Sequence, residues 1–151
     1  MPAASIHDDA TRAWRTLIPH KGAMCLLDGV LSYDDERIVC VSDRHRDPAH
    51  PLATAAGLSS VVAIELAAQA MALHGALVGA RDGAPLHGRL ARVRDCVLEC
   101  ERMDTLAAPL VVEAVRLAGG GGALSYRFSV TAGPDAVARG SILVALAPAA
   151  P

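Results

Sequence analysis

Three side chains able to do chemistry sit inside an otherwise apolar stretch, LSSVVAIELAAQAMALHGALVGA, from Leu58 to Ala80: Glu65, Gln69 and His74. At about 100° per helical residue, Glu65 and Gln69 lie about 40° apart on one face, while His74 points about 180° away from Glu65. A carboxyl in the second turn of an apolar helix has lost its water, so it must find a partner or hold its proton more tightly than usual. With an amide one turn beyond it, such a group can serve as an acid. A structural hydrogen bond from Glu65 to a neighbouring loop is the competing reading of the helix taken alone.

Two further histidines lie upstream: His50, in a histidine-proline step fifteen residues before Glu65, and His20, in the segment LIPHKGAMCLLDGV. Imidazole is the side chain whose proton comes and goes near neutral pH. His74, on the far face of the helix, reads as structural. His45 and His87 occupy loop or strand-edge positions and read as solvated.

These groups need a scaffold. Val61, Ile64, Ala68, Met71, Ala72 and Val78 keep company with Ala, Leu and Gly on every side, which predicts a buried helix near residues 59–78 with no polar face. Ser59 or Ser60 can cap its start, and Gly79 loosens its end. Its Glu, Gln and His and the lack of flanking basic clusters argue against a membrane span. Before it, Met24–Tyr33 and Ile38–Val41 read as a hairpin turning at Asp34-Asp35-Glu36. Behind it, Arg89–Cys100, Pro109–Leu117, Leu124–Thr131 and Val137–Leu146 read as strands, with the glycines 119–122 as a hairpin tip rather than a nucleotide loop. Six strands and one apolar helix make an α+β fold, the helix packed on an antiparallel sheet.

Composition bounds the class. A 151-residue chain that is 52% hydrophobic suffices for one domain over 1–151, with loosely packed ends at 1–16 and 147–151; aromatics at 3% make its core aliphatic. Fourteen basic against 16 acidic residues, with no basic stripe among aromatics, argue against nucleic acid. The N-terminus lacks the basic start and apolar run of a secretory leader, which points to the cytoplasm. Cys25, Cys40, Cys96 and Cys100 form no zinc-like pair and read as reduced core thiols. No metal or cofactor is expected.

The leucine-proline-histidine-like loop LIPHKGAMCLLDGV, the histidine-proline of His50 and the segment Glu65-Leu66-Ala67-Ala68-Gln69 together resemble the hotdog-fold 3-hydroxyacyl-[acyl carrier protein] dehydratases. With IELAAQAMALHGAL, the loop is most similar to the dehydratase-like proteins of aryl-polyene pathways. The resemblance implies a hotdog fold, a long central helix wrapped by a six-stranded antiparallel sheet, over nearly the whole chain. It implies elimination of water from a 3-hydroxyacyl thioester on acyl carrier protein, with His50 as base and Glu65 as acid, and with His20, Gln69, Leu58 and Ser60 in binding or supporting places. After His50 the family's HFPG-type loop is replaced by Pro-Leu-Ala-Thr-Ala-Ala-Gly-Leu-Ser-Ser. The spacing to Glu65 is one residue longer, and Ser60 stands where the family has its last glycine.

The chemistry accounts for these residue types. A base poised near neutrality removes the proton beside the thioester carbonyl, an acid protonates the departing hydroxyl, and N–H donors hold the enolate oxygen. The helix start around Leu58 to Ser60 is the expected source of those donors. In the family the histidine and the glutamate come from different protomers, so the resemblance implies a homodimer or a heterodimer with a second hotdog subunit. Two other readings stay open: an acyl thioesterase, whose helix carboxylate activates water, and a non-catalytic or half-site partner of a related hotdog subunit.

Overall fold

The computed structural model describes residues 14–82 and 86–148. One helix, α1 (Val62–Asp82), follows two short strands, β1 (Gly29–Tyr33) and β2 (Arg37–Ser42). Four longer strands come after it: β3 (Leu86–Leu98), β4 (Leu110–Gly120), β5 (Ala123–Ala132) and β6 (Asp135–Pro148). They form one six-stranded sheet in the order β1-β2-β4-β5-β6-β3, with every neighbouring pair antiparallel. The expected α+β architecture, with six strands around one helix, is the one observed.

The sheet alternates as its pleat requires: on β5, Tyr126, Phe128, Val130 and Ala132 point inward and are buried, while Arg127 between them is exposed. Inward side chains of β2, β4, β5 and β6 meet Ala63, Leu66, Ala67, Ala70 and Leu73 of α1. At 21 residues the helix is about 31 Å long, enough to cross the sheet. Where β6 passes a bulge in β3, Gly140 has no room for a side chain: a Cβ would stand 3.1 Å from both the Arg94 carbonyl and the Phe128 ring.

Three expectations need correction. The helix begins at Val62 rather than 59, because Ser59–Val61 form a turn in which the Ser59 hydroxyl accepts the Val61 N–H at 3.2 Å. The first strand begins at Gly29 rather than Met24: Gly22–Met24 is a 3-10 turn, and the backbone of Met24 and Leu26 bonds to side chains, Gln69 of the helix and Ser42 of β2, instead of to a strand backbone. The helix is not buried all round either. Ile64, Glu65, Ala68, Ala72, Gly75, Ala76 and Gly79 form a half-buried stripe, and Val61 beside it is 52% exposed. At the chain's start, Trp14 and Ile18 are buried in the core, so packing reaches back to residue 14, and β6 continues to Pro148. Residues 1–13 and 149–151 lie outside the described residues.

By length and composition, Val62–Gly79 could cross a membrane; here it is the core helix, half its surface covered by its own sheet. The cysteines are all free. Cys25 and Cys40 are core thiols, burial pushing that of Cys40 up to about 12, whereas Cys96 is exposed on the edge strand.

Candidate active site

Gln69 organises the region around Glu65. Its side chain is fully buried, and each polar atom has a use: Oε1 accepts the Leu26 N–H at 2.9 Å, and Nε2 donates to the Met24 carbonyl at 2.8 Å and to Glu65 Oε1 at 3.1 Å. One amide therefore ties the loop carrying His20 to the helix carrying Glu65. A buried amide left unpaired would cost about 1–3 kcal/mol per group, which, with the Ser42 hydroxyl of β2 donating to the Leu26 carbonyl at 2.7 Å, explains why this loop holds one shape.

The loop brings His20 to the carboxyl. His20 Nε2 stands 2.9 Å from Glu65 Oε1, the oxygen already held by Gln69, while His20 Nδ1 is buried with no hydrogen-bond partner. Oε2 of Glu65 has no partner among the described residues. Glu65 lies on the open stripe of the helix and is partly exposed rather than sealed in, so its expected loss of water is incomplete in the single chain.

His50 lies elsewhere, in the loop leading into the helix. It is 8% exposed, and its Nδ1 accepts the Leu52 N–H at 3.1 Å. Burial, and next the Arg44 and His45 charges, lower its proton affinity, and Asp47 opposes them. Arg44 itself is anchored between the Cys25 carbonyl and Asp28, whose Oδ1 is 3.2 Å from Nε. No contact joins His50 to Glu65 or His20 within the chain.

At the helix start, two of the expected donors are already committed. The Leu58 N–H goes to Asp104 Oδ1 at 3.0 Å and the Ser60 N–H to the Glu101 carbonyl at 3.0 Å, while those of Val62, Ala63 and Ile64 bond back to Ser59, Ser60 and Val61. Asp104 is fastened in turn by Arg102, which with the Leu58 N–H holds its carboxyl well below the usual range. Nothing in the sequence marks Arg102-Met103-Asp104 as the clasp on this turn, because its partners are backbone groups more than forty positions upstream.

His74 and His45 are structural. His74 is fully buried: Nε2–H donates to the Asp34 carbonyl in the β1–β2 turn at 2.8 Å, so Nδ1 accepts the Tyr126 hydroxyl at 2.8 Å. Burial pushes that hydroxyl up to about 12. His45, expected in solvent, is 2% exposed and bonds the Leu106 carbonyl through Nε2 at 2.8 Å; the β4 approach folds over it. His87 pairs with Ala147 in the β3–β6 ladder. Among the described residues no cluster of His, Cys, Asp or Glu could hold a metal.

The chain's fold is similar to that of the dehydratase heterocomplex ApeI:P from Xenorhabdus doucetiae, with a TM-score of 0.79 at 20% identity, covering 90% of this chain and 91% of that one. A thioesterase family protein from Silicibacter pomeroyi matches with a TM-score of 0.65 at 8% identity, covering 91% and 97%. AziG of S. sahachiroi matches at 0.60 and 13%, covering 81% and 91%. At these identities the likeness is one of fold, the hotdog fold in each case. No curated protein matches the chain in sequence. The sequence pattern of the ApeP-like family, described as ApeP dehydratase, matches residues 12–150. With that match over nearly its whole length, this hotdog-fold chain belongs to the ApeP-like dehydratase family.

Proposed function

We propose that this chain supplies the acid half of a composite site that removes water from a 3-hydroxyacyl thioester carried on acyl carrier protein. The observation that carries the reading is the convergence of His20 and Gln69 on Oε1 of Glu65, with Oε2 left open on the exposed helix face. A carboxylic acid held this way has its carbonyl oxygen occupied and its O–H turned outward. Glu65 Oε2–H gives its proton to the departing 3-hydroxyl, a base takes the C2 proton, and the electrons of that C–H bond become the new C2–C3 double bond. Water and the trans-2-enoyl thioester leave.

The base comes from a second hotdog subunit. Two features support the half-site reading: the proton-accepting nitrogen of His50 is occupied by a backbone N–H, and the apolar stripe bearing Glu65 is uncovered in the single chain. The open edge of β3 is a further surface for that subunit.

The test is to assay the purified chain alone and after mixing with a second hotdog dehydratase subunit, using a 3-hydroxyacyl thioester. Enoyl thioester formed only by the mixture, and lost with Glu65→Gln, is the expected result. Enoyl product from the chain alone would replace the half-site reading with a self-sufficient enzyme, and free acid with free thiol would identify a thioesterase.

A further inference from the structure

A backbone N–H pointing at an imidazole nitrogen fixes where the ring keeps its hydrogen. The Leu52 N–H donates to His50 Nδ1 at 3.1 Å, so Nδ1 carries a lone pair and the neutral ring has its hydrogen on Nε2. For Nε2 to accept a proton, the ring would have to move its hydrogen to Nδ1, setting two N–H groups against each other at 3.1 Å. Protonation at Nδ1 would break the same bond. Both routes by which this imidazole could act as a base are therefore opposed by one contact made two residues away in its own loop.

Nε2 is placed differently. It makes no hydrogen bond among the described residues, yet it is not among the buried, unpartnered polar atoms, so its N–H faces outward from an otherwise buried ring. The loop bearing it runs straight into the turn at Leu58–Ser60, whose Leu58 and Ser60 N–H groups are already committed to Asp104 and Glu101. Of the donors expected for an acyl carbonyl, the Leu58 and Ser60 N–H groups are thus committed, whereas His50 Nε2–H has no partner among the described residues. We infer that His50 is a fixed hydrogen-bond donor that holds the carbonyl oxygen of an acyl group through Nε2–H and takes no proton. A neutral imidazole in this role polarises the carbonyl as an oxyanion donor does.

The charges facing the ring agree. Arg44 and His45 oppose a second positive charge, and Asp47, which favours one, is outweighed by them together with burial. The backbone supports the donor role: the Ala53 N–H donates to the His50 carbonyl at 3.0 Å and closes a turn around Leu52, and Thr54 and Gly57 exchange backbone bonds at 2.9 Å just beyond it. That the carbonyl belongs to a thioester rests on the proposed function; that Nε2 keeps the hydrogen does not.

Two measurements test the inference. In the chain labelled with 15N-histidine, long-range proton–nitrogen spectra assign His50 by its loss in His50→Gln. Nδ1 should read as the unprotonated nitrogen and Nε2 as the protonated one across neutral pH, and an unprotonated Nε2 would overturn the proposal whatever the chain catalyses. The second uses the chain with its hotdog partner and an acyl-pantetheine amide carrying a 13C carbonyl. The carbonyl resonance should shift on binding to the unaltered protein and to His50→Gln, whose amide N–H replaces the imidazole's. With His50→Ala the shift should vanish and affinity fall about tenfold, the scale of one hydrogen bond. An equal loss in Gln and Ala variants overturns the donor role. Failure of the unaltered protein to bind the amide overturns the thioester contact, with the tautomer result still readable from the first experiment.

Discussion

His20 Nε2 and Gln69 Nε2 address the same oxygen of Glu65, from 2.9 and 3.1 Å, although His20 lies in a loop outside the strands of the sheet. Two groups from distant parts of the chain thereby fix one carboxyl rotamer and leave its second oxygen without a partner among the described residues. Glu65→Gln should therefore keep the fold and the pairing with a second subunit while lowering turnover by at least about two orders of magnitude, the usual scale for losing a general acid. Circular dichroism and size-exclusion of the variant, read beside product formation, check both halves of this expectation.

Gln69 is predicted to be the structural member of the cluster. Gln69→Leu would leave the Leu26 N–H and the Met24 carbonyl unpaired, at a cost of roughly 2–5 kcal/mol. Urea unfolding measures the loss. A variant as stable as the parent would mean the His20 loop finds other partners.

The tie between helix and sheet at His74 gives a second stability test. Tyr126→Phe removes the hydroxyl that His74 Nδ1 accepts inside the core, at about 1–3 kcal/mol. The remaining bond from Nε2–H to Asp34 should survive, so the β1–β2 turn keeps its shape.

Gly57 is predicted to refuse any side chain. Its φ of +101° disfavours L-residues, and a Cβ would stand 2.6 Å from Arg102 Nε and 2.7 Å from Asp104 Oδ1. Gly57→Ala should cost more than about 1 kcal/mol and loosen the Leu58–Asp104 bond, which amide exchange at Leu58 would report.

Acid should weaken the fold through His50. Its folded proton affinity is lowered below the ordinary 6.5, so as pH falls through that value the unfolded chain takes up a proton that the folded chain refuses. Stability contributed by the neutral ring is thus present above pH 6.5 and declines below it, until the folded form also protonates. His50→Gln should flatten that part of the pH–stability curve in thermal unfolding.

Much of this was legible in the residues, and the limit has a physical cause. The apolar run around Glu65 and the strand-like segments behind it gave away the architecture, since hydrophobic periodicity is the signal that burial imposes. Glu65 and Gln69 were marked by being polar in an apolar helix. What stayed hidden was made by backbone atoms: the Leu52 N–H on His50, the Leu58 and Ser60 donors spent on Asp104 and Glu101, the Leu106 carbonyl that draws His45 inside. Every residue carries those groups, so no choice of side chain announces them. The open stripe on the helix was missed for another reason, because its half-buried face is nearly as apolar as the one that meets the core.

The strand order has a consequence in time. Chain growth delivers β1, β2, the helix and β3 first, but β2 needs β4 beside it, and β3, at the opposite edge, has no neighbour in the sheet except β6. Until β4 and β5 are made, the apolar helix has little of its sheet to lie on, and until the last strand is made β3 is unpaired along both sides. Pairings so distant along the chain are slow to form, and exposed apolar surface waits with them. A nascent chain of this design stays sticky nearly to its end, so the moments just before Asp135–Pro148 emerges are those in which it most needs a chaperone, or a partner already folded and close at hand.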